Sequence, residues 1–124
     1  MDFIYTRNVQ FADTDAAGVV HFSRILCYVE EAVHAFLTDK DITVLGVDDG
    51  WPLVKVDVDY RKPLRFGNEL EINVDPISVG RTSVTWSFAV MHGEDMAAEG
   101  IITTVHVDGN ARAKAIPVVL QPSS

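Results

Sequence analysis

Apolar and polar positions change period twice along the chain. Between Phe3 and Phe11, β-branched and aromatic residues alternate with polar ones, the mixture of a strand. Ala12-Asp13-Thr14-Asp15-Ala16-Ala17-Gly18 follows, a loop of small and Asx residues. From Phe22 the apolar residues Phe22, Ile25, Leu26, Val29, Val33, Phe36 and Leu37 recur three and four positions apart, one face of a helix of about four turns. Arg24, Glu30, Glu31 and His34 occupy the opposite face, with Cys27 and Tyr28 flanking the stripe. The helix should end between Thr38 and Asp41. An Asp- and Gly-rich connector then runs to Trp51 and closes at Pro52.

Beyond Pro52 the period is two. Val54, Val56 and Val58 alternate with Lys55, Asp57 and Asp59; Leu70, Ile72 and Val74 with Glu69, Glu71 and Asn73; Val84, Trp86, Phe88 and Val90 with smaller residues. A last strand spans about Ala97 to Val107. Turn chemistry separates the runs at Phe66-Gly67-Asn68, Val79-Gly80-Arg81, His92-Gly93-Glu94-Asp95 and Asp108-Gly109-Asn110. One strand, one long helix and four strands predict an α+β domain, with an antiparallel sheet of about five strands wrapped around the helix and short connections making a meander. Trp86 and Phe88 are expected to leave an apolar patch that a second copy covers.

Composition narrows the class. A chain of 124 residues makes one domain, with a short frayed tail at about 118–124. With 48% hydrophobic residues, burial can offset the ordering entropy, which excludes disorder. No apolar run is long enough to span a bilayer, so no membrane role is expected. The opening residues lack the basic and apolar regions of a signal peptide, and one cysteine, Cys27, forms no internal disulfide; both fit a cytoplasmic protein. A net charge of −8 argues against nucleic-acid binding. It leaves room for a small anion, because Arg61, Lys62, Arg65 and Arg81, four of the ten basic residues, fall within 21 positions.

Chemistry concentrates in Phe11-Ala12-Asp13-Thr14-Asp15-Ala16-Ala17-Gly18-Val19-Val20-His21-Phe22. A carboxylate lies on a small-residue loop just ahead of a helix, whose first amides have no internal partner and carry positive potential. Such amides can hold the oxyanion of an attacked carbonyl, with Asp15 as nucleophile or general base and Gly18 allowing a positive φ or close approach. Asp-x-Asp before a helix is more often a loop or capping device, so the residues alone do not assign a reaction.

The same segment resembles the active-site signature of hotdog-fold acyl-CoA thioesterases of the 4-hydroxybenzoyl-CoA thioesterase family, Asp-x-Asp-x-x-Gly-x-Val followed by aromatic residues and a long helix. Pro52 to Tyr60, Arg61 to Leu70 and Gly80-Arg81-Thr82-Ser83 resemble later parts of that family in order, and the likeness covers about residues 3 to 108. It implies a hotdog fold, an acyl-CoA substrate, no cofactor besides the CoA of the substrate, and a pocket between subunits of a homodimer or a tetramer of two dimers. It makes Asp15 the catalytic carboxylate, Asp13 structural and the Phe22 backbone amide the carbonyl-polarising donor. Gly18 and Val20 would contact substrate, Arg81, Thr82 and Ser83 would meet CoA, and Arg61 and Lys62 are further candidates. Members with broad short-chain activity carry His seven residues after the catalytic Asp; here Phe22 stands there and His21 is one place early. That order is more similar to the branch acting on 1,4-dihydroxy-2-naphthoyl-CoA and implies an aromatic acyl group.

Other titratable residues have plainer readings. His21 is either a helix-start residue or a general acid, His34 is expected to be solvated, and His106 to lie on a polar strand face. Glu30 and Glu31 are expected on a solvated face or subunit contact, and Cys27 as a small core or interface residue. No two histidines have metal-ligand spacing, so no metal is expected. Rival readings are a broad short-chain thioesterase and a non-catalytic acyl-CoA-binding hotdog domain; a hotdog dehydratase would need a catalytic His paired with a carboxylate, which this segment lacks.

Overall fold

A computed structural model describes residues 3–120. Its elements are β1 (Phe3–Asn8), a 3-10 turn at Phe11–Asp13, α1 (Phe22–Asp39), β2 (Leu53–Tyr60), β3 (Glu69–Val79), β4 (Ser83–His92), β5 (Asp95–Val105) and a 3-10 turn at Val118–Leu120. All neighbouring strands are antiparallel, in the order β1-β3-β4-β5-β2. The helix packs on one face of this sheet, in the hotdog arrangement.

Burial follows the two periods. Ile25, Val29, Ala32, Val33, Phe36 and Leu37 of α1 meet Leu70, Ile72 and Val74 of β3, Val84, Trp86, Phe88 and Val90 of β4, and Ala98 and Ile102 of β5. Phe36 lies edge-on between Trp86, at 5.2 Å, and Phe3, at 5.5 Å. At Gly100 of β5 an added Cβ would collide with the Asp57 carbonyl of β2, so only glycine lets these strands approach so closely.

Several expectations change. β3, β4 and β5 form the meander, but β2 pairs with β5, and residues 61–68 cross from that edge toward β1. The crossing is anchored by buried Leu64 and by the Val9 amide donating to the Asn68 carbonyl at 2.9 Å. Trp86 and Phe88 form no exposed patch: both are buried under α1, and the indole N–H donates to Thr104 Oγ1 at 3.0 Å. Val54 and Val56 of β2 are exposed instead: β2 is an edge strand, and α1 meets it at Tyr60, through Phe22. Phe22, the first residue of the predicted stripe, is 60% exposed, whereas Tyr28, placed beside the stripe, is fully buried. Cys27 is exposed, so it is no core residue, and His34 is half-buried. His106 follows β5 and is buried: its ring stacks on Trp51 at 4.3 Å, Nδ1 donates to the Ala115 carbonyl at 2.8 Å, and Nε2 lies 2.9 Å from Asp49 Oδ1. The connector before β2 folds over it, which alternation along β5 does not reveal. In the stretch expected to fray, Leu120 is buried; residues 121–124 lie outside the described residues.

One polar tie fixes the helix start. Asp13 is 6% exposed, and its Oδ2 accepts the Gln10 amide at 2.9 Å and the Tyr28 hydroxyl at 2.8 Å. Arg7 Nη1 lies 3.6 Å from the same oxygen. Arg7 Nε donates to Glu31 Oε1 at 2.9 Å, and the Tyr5 hydroxyl donates to that oxygen at 3.0 Å. Glu31 is therefore no free surface residue. Burial pushes the Asp13 carboxyl up, but the Gln10 amide, the Tyr28 hydroxyl and the Arg7 charge outweigh it and hold the group below the ordinary carboxylate range. A depressed folded-state value stabilises the protein above the unfolded Asp value, and this stabilisation disappears as the pH falls through the folded value. Asp13→Asn should accordingly cost about 2 kcal/mol at neutral pH. The gap to wild type should close from about pH 4 downward, measured by urea unfolding across pH. A gap independent of pH would show that the charge of Asp13 does not stabilise the fold.

Candidate active site

The loop between the first 3-10 turn and α1 is a tight ribbon. Thr14 pairs with Val20, Val19 pairs with Arg65, and the Val20 amide donates to the Leu64 carbonyl at 2.8 Å. At its tip the Gly18 amide donates to the Asp15 carbonyl at 2.9 Å, a turn that Gly18 closes with φ +79°. The Asp15 side chain is exposed. Its Oδ1 accepts the amides of Ala17 at 2.9 Å and Val19 at 3.3 Å, while Oδ2 accepts no hydrogen bond among the described residues. One oxygen thus shapes the turn and the other is available for chemistry.

The helix opens beside this ribbon. His21 is its N-cap: Nδ1 accepts the Ser23 amide at 3.2 Å and lies 2.8 Å from Ser23 Oγ. An accepting Nδ1 places the ring proton of the neutral imidazole on Nε2, which points to a capping role for His21. The Arg24 amide donates to the His21 carbonyl at 2.9 Å. The Phe22 amide, first in the helix, has no acceptor among the described residues. An unpaired N–H at the positive end of an 18-residue helix is suited to a carbonyl oxygen that gains negative charge.

A hollow of about 270 Å³ lies against this helix start, walled by Val20, Phe22, Ile25, Tyr60, Pro63 and Leu64, with Arg61 and Lys62 also lining it. Phe22 and Tyr60 meet edge to face at 6.1 Å, and the Tyr60 hydroxyl donates to the Phe22 carbonyl at 3.1 Å. Burial raises the Tyr60 hydroxyl above its usual range, keeping it a donor at neutral pH. Asp15 is not part of the wall; it sits one residue beyond the Thr14–Val20 bridge, and Val20 is the wall residue. Two hollows on the outer sheet face, of about 310 and 510 Å³, are bordered by Asp75 and Glu99 and by Asp57, Asp59 and Glu99. Those carboxylates would repel a phosphorylated ligand.

The basic residues separate into two groups. Arg61 pairs with Glu99, and Lys62 with Asp95 at 2.9 Å, both beside the hollow. Arg81, Thr82 and Ser83 lie at the β3–β4 turn; Thr82 and Arg81 accept the His106 and Ile116 amides through their carbonyls. Arg61 hydrogen-bonds at Ala97 and Ser83 pairs with Val105, opposite ends of β5, so the groups stand roughly 26 Å apart within one chain. Among the described residues no three of His, Cys, Asp and Glu are grouped as a metal site requires. Nothing in the motifs marks Tyr60 as a wall residue, although the alternation that places Val56 and Val58 on one face of β2 continues to it.

Comparison with known proteins gives the family and the fold. A model of the thioesterase-like superfamily matches residues 9–122. A 1,4-dihydroxy-2-naphthoyl-CoA hydrolase of Nostoc punctiforme is 32% identical over 118 residues, covering 92% of this chain and 80% of that protein. Another 1,4-dihydroxy-2-naphthoyl-CoA hydrolase, from Trichodesmium erythraeum, is 37% identical over 94 residues, covering 73% of this chain and 68% of that one. Among solved structures, a 1,4-dihydroxy-2-naphthoyl-CoA thioesterase from Synechocystis superposes with a TM-score of 0.82 at 24% identity, covering 94% of this chain and 90% of that one. A gentisyl-coenzyme A thioesterase superposes with a TM-score of 0.86 at 24% identity, covering 93% and 96%. These structures share the fold, and the family match over nearly the whole length means that the chain belongs to the thioesterase-like superfamily.

Proposed function

We propose that this thioester hydrolase cleaves the CoA ester of a small aromatic acid, of the 1,4-dihydroxy-2-naphthoyl or hydroxybenzoyl kind, to the free acid and CoA. The observation that carries the reading is the unpaired Phe22 amide opening a long helix beside a hollow walled by aromatic and aliphatic side chains, with Asp15 on the adjoining loop. The thioester oxygen accepts the Phe22 N–H, and the helix start stabilises its charge as the carbonyl carbon becomes tetrahedral. The unbonded Asp15 oxygen then attacks that carbon, expelling CoA thiolate and leaving an anhydride for water to open, or it takes a proton from the attacking water. Both routes consume one water and yield acid and thiol. The aromatic wall and the relatives named for aromatic CoA esters support the acyl class. Asp15→Asn can keep the Oδ1 bonds to the Ala17 and Val19 amides, so it should fold normally and lose about 10²–10⁴ in kcat. Thiol release from 1,4-dihydroxy-2-naphthoyl-, 4-hydroxybenzoyl-, phenylacetyl- and short aliphatic CoA esters checks this. Undiminished turnover by the variant would remove Asp15 from the mechanism, preference for aliphatic esters would overturn the aromatic assignment, and tight binding without thiol release would favour a non-catalytic acyl-CoA binder.

The working unit in this reading is a dimer formed along β2, alone or doubled into a tetramer. β2 is an edge strand, and Val56 and Tyr60 pair with buried Ile102 and Ala98, so both face the helix side while remaining 39% and 43% exposed. A two-fold axis across this edge runs the two β2 strands antiparallel. The β3–β4 turn of the second copy, with its Arg81, then lies toward the hollow of the first, which would unite the two basic groups around one CoA. Sedimentation should give a mass of two or four chains, and Val56→Asp at the edge should yield folded single chains with little turnover. A fully active single chain would contradict the shared site.

A further inference from the structure

We propose that the Tyr28 hydroxyl, acting through the buried carboxylate of Asp13, is a positioning group for the reaction: it holds the Asp15 loop and the Phe22 amide in one fixed relation. The proposal rests on the reading above and adds to it a residue that touches no substrate. Tyr28 lies in the second turn of α1 and is fully buried, with its hydroxyl 2.8 Å from Asp13 Oδ2. The Asp13 carbonyl receives the His21 amide at 3.4 Å, and the Asp13 amide donates to the Gln10 carbonyl at 2.9 Å. Asp13 therefore holds both feet of the ribbon, the side where β1 ends and the side where the helix begins. Thr14 to Val20, Asp15 included, lie between those bonds, with a second attachment where Val19 and Val20 meet Arg65 and Leu64.

The tie is strong because water cannot replace it. A buried carboxylate deprived of a donor is far costlier than an exposed one. Arg7 balances the charge, lying between Asp13 and Glu31 with its guanidinium 4.9 Å from the centre of the Tyr28 ring. Burial first, and then the neighbouring Asp13, push the Tyr28 hydroxyl well above its usual range, so it stays a donor throughout the working pH range. Without the Tyr28 bond Asp13 can shift as a whole residue, carrying the Gln10 amide on its carboxylate and the His21 amide on its main-chain carbonyl. Asp15 and the Phe22 amide, which must meet one carbonyl from two sides, would lose their mutual alignment.

Tyr28→Phe removes one oxygen and keeps the ring, so the full chain should fold. With 4-hydroxybenzoyl-CoA and 1,4-dihydroxy-2-naphthoyl-CoA its kcat should fall by about ten- to a hundredfold. KM should stay within about twofold, because no substrate contact is lost. Amide hydrogen exchange over residues 15–22 should accelerate while the rest of α1 stays protected, and in an Asp13→Ala background, which leaves the hydroxyl no side-chain acceptor at position 13, the added Tyr28→Phe change should have no further effect on kcat. Unchanged kcat in an active enzyme, equal loss in both backgrounds, or unaltered exchange at 15–22 would each overturn the proposal. If the wild type cleaves no CoA ester, the functional reading falls instead, and the exchange measurement on Tyr28→Phe or, should that variant fail to fold, on Asp13→Ala still decides whether this tie holds the loop.

Discussion

A buried negative charge cannot be left unanswered, and Asp13 is where this fold answers one. Its carboxylate takes a main-chain donor from the 3-10 turn, a hydroxyl from α1 and the field of a β1 arginine. The end of β1, the 3-10 turn and the second turn of α1 are thereby fastened at a single point. Hydrophobic contact between α1 and the sheet is non-directional and tolerates small slides; hydrogen bonds to a buried carboxylate do not. The apolar core decides that the helix lies on the sheet, and Asp13 decides where the helix begins relative to the loop ahead of it.

From that anchor the site follows by geometry. His21 caps the second amide of α1, which leaves the Phe22 amide unpaired beside an apolar hollow. Asp15 uses one oxygen to shape its own turn and keeps the other unbonded. In one chain the hollow is open and β2 presents an unpaired edge with exposed valines. Folded domains rarely leave such an edge uncovered. Completion of the pocket and protection of the edge are the same event in the proposed dimer.

Much of this was legible in the chain, because period and turn chemistry are local. The stripe from Phe22 predicts an end between Thr38 and Asp41, and α1 ends at Asp39. The alternating runs locate the strands within a few residues. What escaped depends on tertiary partners. Tyr28 reads as a flank residue because its polar end is visible in the sequence while the carboxylate that answers it is fifteen positions away. Alternation shows that Trp86 and Val56 each lie on an apolar face, but strand order decides which is covered, and β2 goes to the far edge. His106 is buried because a connector more than fifty residues earlier supplies Asp49 and Trp51. The basic residues close in sequence are divided by the length of β5, a separation no spacing rule reveals.

The central claim is that the thioester carbonyl binds between the Phe22 amide and Asp15. A crystal structure with a non-hydrolysable aromatic acyl-CoA analogue, its carbonyl retained and a methylene placed between carbonyl and sulfur, tests this most directly. The account predicts the carbonyl oxygen within hydrogen-bond distance of Phe22 N, about 2.7–3.2 Å, with the Asp15 carboxylate facing the carbonyl carbon directly or through one water. An analogue seated with its carbonyl away from the start of α1, or with Asp15 still turned wholly onto its own loop, would contradict it.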